Sequence, residues 1–450
     1  MIVAKVGIVL LTWTALVVAR KTYSGYKVFE IQQHNEEEVN AIQDLYRNHE
    51  NLDFWHLSRI VGDTVRVMVP PQDQPAFTNF TITKGLELRE LPIDLQKVNK
   101  QIIEVTTKQT NITELITKKF LRHGEINQYL SELAAKYPSR VRVEEIGKST
   151  EGRSMKTITI AAKDNPEQKP VVFVDAGIHA REWIAPSTAL YIIQQLVEYP
   201  DRNDAALLEK FNWIILPVVN PDGYEYSHTD DRLWRKTRST SFTSFICQGT
   251  DANRNFEYHW AEVGASDNQC SEIFHGPEAF SEPETRAIRN ELLRLKGRCQ
   301  FYLTLHSHGR YLLYPWGWTD SLPETVDDLN DVAKAGYEAI LSAIGLKYTF
   351  GTSTNVLYAA AGGSDDWAFA EAAVPISITM ELPSGGASGF DPAPELIEAY
   401  VMEGWVGIKA MALKVAEKYP VLVTNGSEKF SCFSVLLFLT GLVISVLRKP

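Results

Sequence analysis

From about Gly124 onward, the chain alternates strand-like and helix-like segments for nearly 300 of its 450 residues. The strand-like segments are apolar runs rich in Val, Ile and aromatic residues, which is typical of strands buried on both faces of a sheet. Their alternation with helices predicts an α/β domain, with a mixed, mostly parallel sheet and helices on both faces. A capping box of Ser281 and Glu284 predicts one helix start. The other predicted segments are the strands 141–145, 155–161, 169–175, 211–219, 301–305 and 375–381, and the helices 125–137, 183–199, 325–344 and 394–419.

A smaller unit, residues 20–105, precedes this domain, which we place at 123–424. Its order of strands and helices predicts a small separate α/β unit. Between the two units, residues 106–122 form a polar connector, and such connectors are where proteases cut. The strand-like segments of the small unit are 26–31, 63–69 and 86–91, and the helix-like ones are 36–49 and 75–79. Candidate cleavage sites for a trypsin-like protease are Lys108, Lys118, Lys119 and Arg122.

Both ends of the chain predict the secretory pathway. Residues 1–19 fit a signal peptide, because Lys5 precedes an apolar run that ends at a small-residue cleavage site, Ala19. At the other end, segment 425–450 holds 18 consecutive apolar or small residues followed by Arg448. This segment predicts a membrane anchor on the extracellular face, either a single span or a lipid attached near Asn425. Three glycosylation sequons agree with this route, at Asn79, Asn111 and Asn425.

Composition excludes some function classes. The net charge of −11 argues against nucleic acid as a partner. Four cysteines are too few for a disulfide scaffold, but Cys247 and Cys270 lie in a loop-rich stretch and are predicted to pair in an oxidising compartment. Cys299 opens an apolar run and is predicted to be a buried thiol.

Polar side chains at the ends of three predicted strands indicate a metal site. His179 and Glu182 follow the apolar run 171–174, three residues apart, and zinc binds both residue types. A catalytic zinc needs a third protein ligand, and His306 stands at the end of strand 301–305. Glu381 ends strand 375–381 in the same way. Each residue alone is weak support, whereas their joint occurrence at strand ends predicts a zinc site with an adjacent carboxylate.

Six motifs together resemble one family, the carboxypeptidase A/B subfamily of zinc metallocarboxypeptidases. The resemblance extends from about residue 23 to 420 and implies a procarboxypeptidase, a zymogen. Its N-terminal unit would be an inhibitory propeptide with a small α+β open-sandwich fold that covers the active-site cleft. The motifs are His179-Ala-Arg-Glu182-Trp, Leu233-Trp-Arg-Lys-Thr-Arg238, Asp251-Ala-Asn-Arg-Asn255, Leu305-His306-Ser, Tyr358-x-x-x-Gly-Gly-Ser-Asp-Asp-Trp367 and Met380-Glu381-Leu382.

The resemblance implies a role for each matching residue. His179, Glu182 and His306 would hold one Zn²⁺, and Asp251 would orient His179. Glu381 would be the general base and later the acid that protonates the leaving amine, and Arg235 would stabilise the oxyanion. The free C-terminal carboxylate of a peptide or protein substrate would be bound by Asn253, Arg254 and Tyr358, and residues further from the scissile bond by Arg181.

Asp365 matches the position that faces the side chain of the substrate's terminal residue. An acid there implies carboxypeptidase B-like removal of Lys or Arg, because an unpaired buried carboxylate penalises apolar side chains. Two alternatives remain from the sequence: an apolar-specific enzyme, in which Asp365 caps a helix, and a non-catalytic membrane-tethered protein that binds C-terminal peptides. His308 departs from the Tyr usual in this family, so either the substrate affinity or the preference for upstream residues is expected to differ.

Overall fold

A computed structural model describes residues 21–100, 112–162, 169–199, 202–240 and 247–420. The predicted signal peptide and the anchor segment 425–450 lie outside these ranges, as do Asn111 and Asn425, so they stay predictions. Asn79 is exposed on a helix, and its glycosylation also stays a prediction. Across the described ranges, we find no helix that is both long enough and apolar enough to span a bilayer.

The N-terminal unit is an antiparallel sheet covered by two helices. The sheet order is β2-β3-β1-β4, and Ile42 and Phe77 of the helices pack on Ile31 and Val67. The open sandwich is therefore confirmed. The strand β2 was not predicted, because its four residues Asp-Phe-Trp-His show no run of β-branched residues. The elements are β1 (Lys27–Gln32), α1 (Glu36–Asn48), β2 (Asp53–His56), β3 (Thr64–Val69), α2 (Gln74–Thr83) and β4 (Glu87–Leu91).

The larger unit is built on an eight-stranded mixed sheet. Its strands are β5 (Val141–Lys148), β6 (Ser154–Ile160), β7 (Val171–Ala176), β8 (Asn212–Leu216), β9 (Cys299–Ser307), β10 (Tyr311–Tyr314), β11 (Thr349–Thr352) and β12 (Ile376–Leu382). The sheet order is β11-β10-β12-β9-β7-β8-β6-β5. The central pairs β12–β9, β9–β7 and β7–β8 are parallel, and so is β10–β11, whereas the other three neighbouring pairs are antiparallel.

Helices cover both faces of this sheet. The helices that follow β4 along the chain are α3 (Leu95–Lys100), α4 (Ile112–Leu115), α5 (His123–Lys136), α6 (Ile184–Val197), α7 (Arg202–Lys210), α8 (Pro221–Thr229), α9 (Pro283–Arg294), α10 (Val326–Ile344), α11 (Ser353–Val356), α12 (Ser364–Ala370) and α13 (Ile397–Lys418), with 3₁₀ turns at Ala252–Arg254 and Pro394–Leu396. Leu95 and Val98 of α3 pack with the N-terminal unit instead of on this sheet.

The central strand β7 shows why the strand sequences are continuous apolar runs. Val172 and Val174 pack into the hydrophobic core on one face of the sheet, and Val171 and Phe173 pack into the core on the other. All four side chains are fully buried. A strand covered on both sides has no solvent face, so its sequence does not alternate.

The predicted capping box at the start of α9 is wrong. Glu282 is the residue that precedes the helix, and no side chain caps it. Pro283 occupies the first helical position, where its fixed φ is already helical, so the helix begins after Ser281 and Glu282. The hydroxyl of Ser281 instead donates to the Glu282 carboxylate at 3.0 Å.

The cysteines are arranged as the sequence predicts. Cys247 and Cys270 form a disulfide, and Cys299 is a buried free thiol. The second half of the predicted connector packs against the larger unit, because Ile116 and Phe120 belong to its main core.

Candidate active site

The site forms where three parallel strands end side by side. In the register between β12 and β9, Glu381 lies opposite His306, and Leu305 lies opposite Ala176, the last residue of β7. Carboxyl ends of parallel strands meet at one edge of a sheet, which is where ligand sites of α/β folds occur. The strand ends therefore bring together the side chains that the sequence placed in three separate segments.

A tight turn after β7 delivers His179 and Glu182. Gly177 has a φ of +68°, a conformation that side chains with a Cβ rarely adopt. A Cβ there would also lie 3.0 Å from Cγ of Pro186 in α6. The turn thus lets the chain leave β7 and enter α6 with both side chains directed to the same edge.

His179, Glu182 and His306 converge on one point. Nδ1 of His179 lies 2.8 Å from Oε1 of Glu182, and Nδ1 of His306 lies 3.1 Å from Nδ1 of His179 and 3.2 Å from Oε2 of Glu182. The three are at most 4% exposed. Within the described ranges they are the one group whose atoms can hold a metal ion. Two imidazoles and a carboxylate are a donor set that Zn²⁺ takes, and their ligand atoms lie within 4.8 Å of one another, so the residues fit zinc.

Asp251 connects this cluster to Arg235. Its Oδ1 lies 3.1 Å from Nε2 of His179, and its Oδ2 accepts from Nε and Nη2 of Arg235 at 3.1 and 2.9 Å. Burial opposes the charge of Asp251, but Arg235 and His179 hold its pKa well below the usual range. The charged carboxylate therefore fixes the orientation of both the imidazole and the guanidinium.

The pKa values of the two glutamates of the site are shifted in opposite directions. Burial opposes ionisation of Glu182, but His179 and His306 lower its pKa far below the usual range. Burial raises the pKa of Glu381, and His306 counteracts only part of this rise. Glu381 Oε2 is buried without a hydrogen-bond partner among the described residues. Proton loss is therefore favoured at Glu182, whereas proton uptake is favoured at Glu381.

The three residues predicted to bind a carboxylate lie beside the zinc cluster. Asn253 and Arg254 belong to the 3₁₀ turn that Asp251 begins, and both line the same cavity as His179. The Asn253 side-chain oxygen accepts from the backbone N–H of Ser364 at 2.9 Å, which fixes its amide. Tyr358 also lines the cavity, and its ring packs 4.9 Å from that of Tyr46 in the N-terminal unit.

Asp365 lies one layer behind this cavity. Its Oδ2 accepts from the hydroxyl of Thr379 at 3.0 Å, and Thr379 lines the cavity two residues before Glu381. Asp365 does not cap α12, because Gly363 is the residue before that helix and no side chain caps it. The neighbouring Asp366 accepts from the backbone N–H groups of Gly317 and Trp318, so it holds the loop at Gly317.

The strand β2 fills the mouth of the site, which the sequence analysis missed. Asp53 accepts two hydrogen bonds from Arg181, at 2.7 and 2.9 Å, and both side chains are nearly fully buried. Only about 80 Å³ of cavity remains between β2 and the zinc cluster, far below the ~300 Å³ of usual ligand pockets. A lone Asp in a short strand carries no sequence pattern, and its partner, 128 residues away, appears only in the fold.

His308 also contacts this strand. Its ring stacks on that of His56 with centroids 6.1 Å apart, and it packs on Phe390 at 4.9 Å. Burial lowers the pKa of His308 to about 3, so its ring is neutral in this environment.

Comparison with known proteins agrees with this geometry. Residues 126–407, more than half of the chain, match the family model "Zinc carboxypeptidase", and residues 29–101 match "Carboxypeptidase activation peptide". The chain is 44% identical over 297 residues to "Carboxypeptidase B" of Astacus astacus, covering 66% of this chain and 97% of that one. It is 37% identical over 388 residues to "Zinc carboxypeptidase A 1" of Drosophila melanogaster, covering 84% and 90%.

Solved structures match both units together. The carboxypeptidase A from Helicoverpa armigera superposes with a TM-score of 0.80 at 34% identity, covering 87% of this chain and 98% of that one. The matched activation peptide implies proteolytic activation, and the matched carboxypeptidase domain implies peptide substrates. The chain therefore belongs to the zinc carboxypeptidase family, within its A/B subfamily, and is a metallocarboxypeptidase that carries an activation peptide.

Proposed function

We propose that this chain is the zymogen of a zinc exopeptidase that removes Lys or Arg from the C-termini of peptides and proteins. The observation that carries the specificity is the buried Asp365 carboxylate, bonded to Thr379 directly behind the cavity. Similar relatives include proteins named carboxypeptidase B and others named A, so their names do not decide between the two specificities. The non-catalytic alternative does not agree with the family assignment.

His179, Glu182 and His306 would hold the Zn²⁺. Bound zinc lowers the pKa of water toward about 7 and polarises a carbonyl oxygen. Glu381 would take a proton from the attacking water and later give it to the leaving amine, a task suited to a carboxylate with a raised pKa. Arg235 would stabilise the developing oxyanion, because Asp251 fixes its guanidinium beside the cluster.

Exopeptidase action would come from the carboxylate-binding residues. Arg254 is nearly fully buried, and its Nε and Nη1 are anchored by the backbone oxygens of Gly264 and Asn253 at 2.7 and 2.9 Å. A fixed guanidinium binds a carboxylate at little entropic cost. Asn253 and Tyr358 line the same cavity, so three side chains would contact a free C-terminal carboxylate.

Matched peptides that differ only in their last residue test this proposal. After trypsin treatment, we expect chelator-sensitive release of C-terminal Arg and Lys, because Asp365 pairs with a cation and rejects apolar ends. Mass spectrometry of peptides ending in Arg, Lys, Phe, Leu or Glu measures the release. Preferred release of Phe or Leu would support the apolar-specific alternative, and release that survives zinc removal would contradict the role of the metal.

We also propose that Asp53 keeps the zymogen inactive. Asp53 accepts two hydrogen bonds from Arg181 and so holds β2 across the cavity. Asp53→Ala leaves the buried guanidinium without its ion-pair partner, which should destabilise the closed zymogen by about 3–5 kcal/mol. We expect the uncut variant to cleave small peptides at least about tenfold faster than the uncut wild type. Peptide hydrolysis before trypsin treatment is the measurement.

The matched control is Glu87→Ala, which removes an exposed acid from the same unit. It should leave the uncut chain as inactive as wild type. After trypsin treatment all three proteins should have equal activity, since the N-terminal unit is then gone. Equal activity of uncut D53A and wild type would refute the role of Asp53.

The anchor segment 425–450 also supports a proposal for where the enzyme is located in the cell. Its apolar run and terminal basic residues support a tether at the extracellular face of a membrane. Expressed in cells, the chain is expected at the surface, and a phosphatidylinositol-specific phospholipase C should release it if the anchor is a lipid. Resistance together with retention in carbonate-washed membranes would indicate a span, and complete secretion would contradict both.

A further inference from the structure

A single buried asparagine lies between the two segments that carry His179 and Arg235. Asn220 stands between β8 and α8 and is completely buried. Its backbone N–H donates to the carbonyl oxygen of Gly177 at 3.1 Å, so it lies beside the turn that leads from β7 to His179. Asn220 does not line the active-site cavity, so any effect on the reaction must pass through other residues.

The side-chain amide of Asn220 joins both segments. Its Nδ2 donates to the carbonyl oxygen of Ile178 at 3.3 Å and to that of Lys236 at 2.9 Å. Ile178 directly precedes His179, and Lys236 directly follows Arg235. The two hydrogen bonds therefore fix the backbone next to a zinc ligand and the backbone next to the guanidinium-bearing residue.

The oxygen of the same amide is also occupied. Oδ1 accepts from the backbone N–H of Gly223 at 2.9 Å and thereby caps the start of α8. Because the helix uses the acceptor, the amide has a fixed orientation, with its NH₂ group directed at the two carbonyl oxygens. A Cβ at Gly223 would lie 2.5 Å from both Nδ2 of Asn220 and the carbonyl oxygen of Lys236, so the helix packs directly on this junction.

The two segments also contact each other directly. The backbone N–H of Ala180 donates to the carbonyl oxygen of Arg235 at 3.0 Å. One hydrogen bond leaves the segments able to rotate about it, whereas the Asn220 amide adds attachment points before His179 and after Arg235. Asp251 binds both of these side chains, but it can align them only if their backbones stand at the right separation.

We propose that Asn220 is a positioning residue, which sets the separation between His179 and Arg235 and so the strength of oxyanion stabilisation. This inference rests on the oxyanion role proposed for Arg235. A displacement of about 1 Å between catalytic groups costs on the order of 10²-fold in rate. The alternative is that the amide only stabilises the fold.

Asn220→Ser tests this proposal, because serine can still cap α8 but cannot donate to two carbonyl oxygens. In the trypsin-activated, zinc-loaded enzyme, we expect kcat to fall at least about tenfold for the peptide that wild type hydrolyses fastest. KM should change less than about threefold, since the carboxylate-binding Asn253 and Arg254 belong to another segment. Affinity for a phosphonate analogue of that peptide, measured by calorimetry, should fall as kcat/KM does, because its tetrahedral anion would contact Arg235.

Two further variants separate positioning from stability. Gly223→Ala keeps the amide but forces it away from Lys236, so it should lower kcat similarly and carries the same comparison if N220S does not fold. Ser149→Ala is the matched control, because it removes a buried hydrogen bond to Asp222 of the same helix. It should lower the melting temperature and keep the wild-type kcat.

A double-mutant cycle with Arg235→Met gives the decisive comparison. If Asn220 acts through Arg235, N220S should lower kcat by less than about twofold once R235M is present. The full loss in the R235M background would show that Asn220 acts only on the fold and would overturn the proposal, as would a wild-type kcat in N220S. Wild-type activity of R235M alone would instead refute the oxyanion role itself, and this proposal with it.

Discussion

Glu381→Gln is expected to lower kcat by about 10²–10⁴-fold while peptide binding and zinc content stay unchanged. The amide keeps the shape of the side chain but cannot take a proton from water. Glu381 suits this role because it lies opposite His306 in the register of β12 and β9, with a buried oxygen that has no hydrogen-bond partner among the described residues. Single-turnover kinetics and metal analysis of the trypsin-activated variant measure the two effects separately.

The control for this variant is Glu262→Gln, which changes an exposed acid paired with His259 and should not alter kcat. If E381Q turned over substrate at the wild-type rate, Glu381 would not be the base. If it lost zinc as well as activity, Glu381 would belong to the metal site, and the assignment of the three ligands would need revision.

Asp365→Ala is expected to produce the second large effect, a change of substrate preference. For a C-terminal Arg, kcat/KM should fall by about 10²–10³-fold, because the bound cation loses its buried partner. For C-terminal Leu or Phe, kcat/KM should rise, because no unpaired carboxylate remains behind the cavity. The ratio of kcat/KM values for paired substrates measures the change.

Ser353→Ala is the matched control, since its hydroxyl lies 3.5 Å from Oδ2 of Asp365 and its loss keeps the charge. This variant should retain the Arg preference. An unaltered preference in D365A would place the determinant elsewhere and would return the apolar-specific enzyme to consideration.

The sequence predicted the larger fold well because its buried strands are long apolar runs at regular spacing. It also predicted which residues meet at the site, since His179, Glu182 and His306 follow such runs and Glu381 ends one. It failed where local pattern and tertiary structure diverge. The capping box predicted at Ser281 does not form, because the helix begins at Pro283. The short strand β2 has no run of β-branched residues that would have predicted it.

The relation of Asp365 to the site shows a different limit. A sequence match places this residue near the substrate, but only the fold shows Thr379 between its carboxylate and the cavity. The pair Asp53–Arg181 was equally inaccessible, because it joins two units through one contact that no periodicity encodes. The two side chains are 128 residues apart in the sequence, so their opposite charges are seen to meet only once both units have folded.

The Asp53–Arg181 pair also determines what activation has to accomplish. On the substrate-binding role that the resemblance implies for Arg181, Asp53 would present to this guanidinium the pair of anionic oxygens that a substrate would otherwise supply, and the propeptide would take the place of the molecule it excludes. The zinc ligands, Asp251 and Arg235 already stand in contact beneath it. Maturation would then exchange one acceptor for another on Arg181, beside a group of residues that is already assembled.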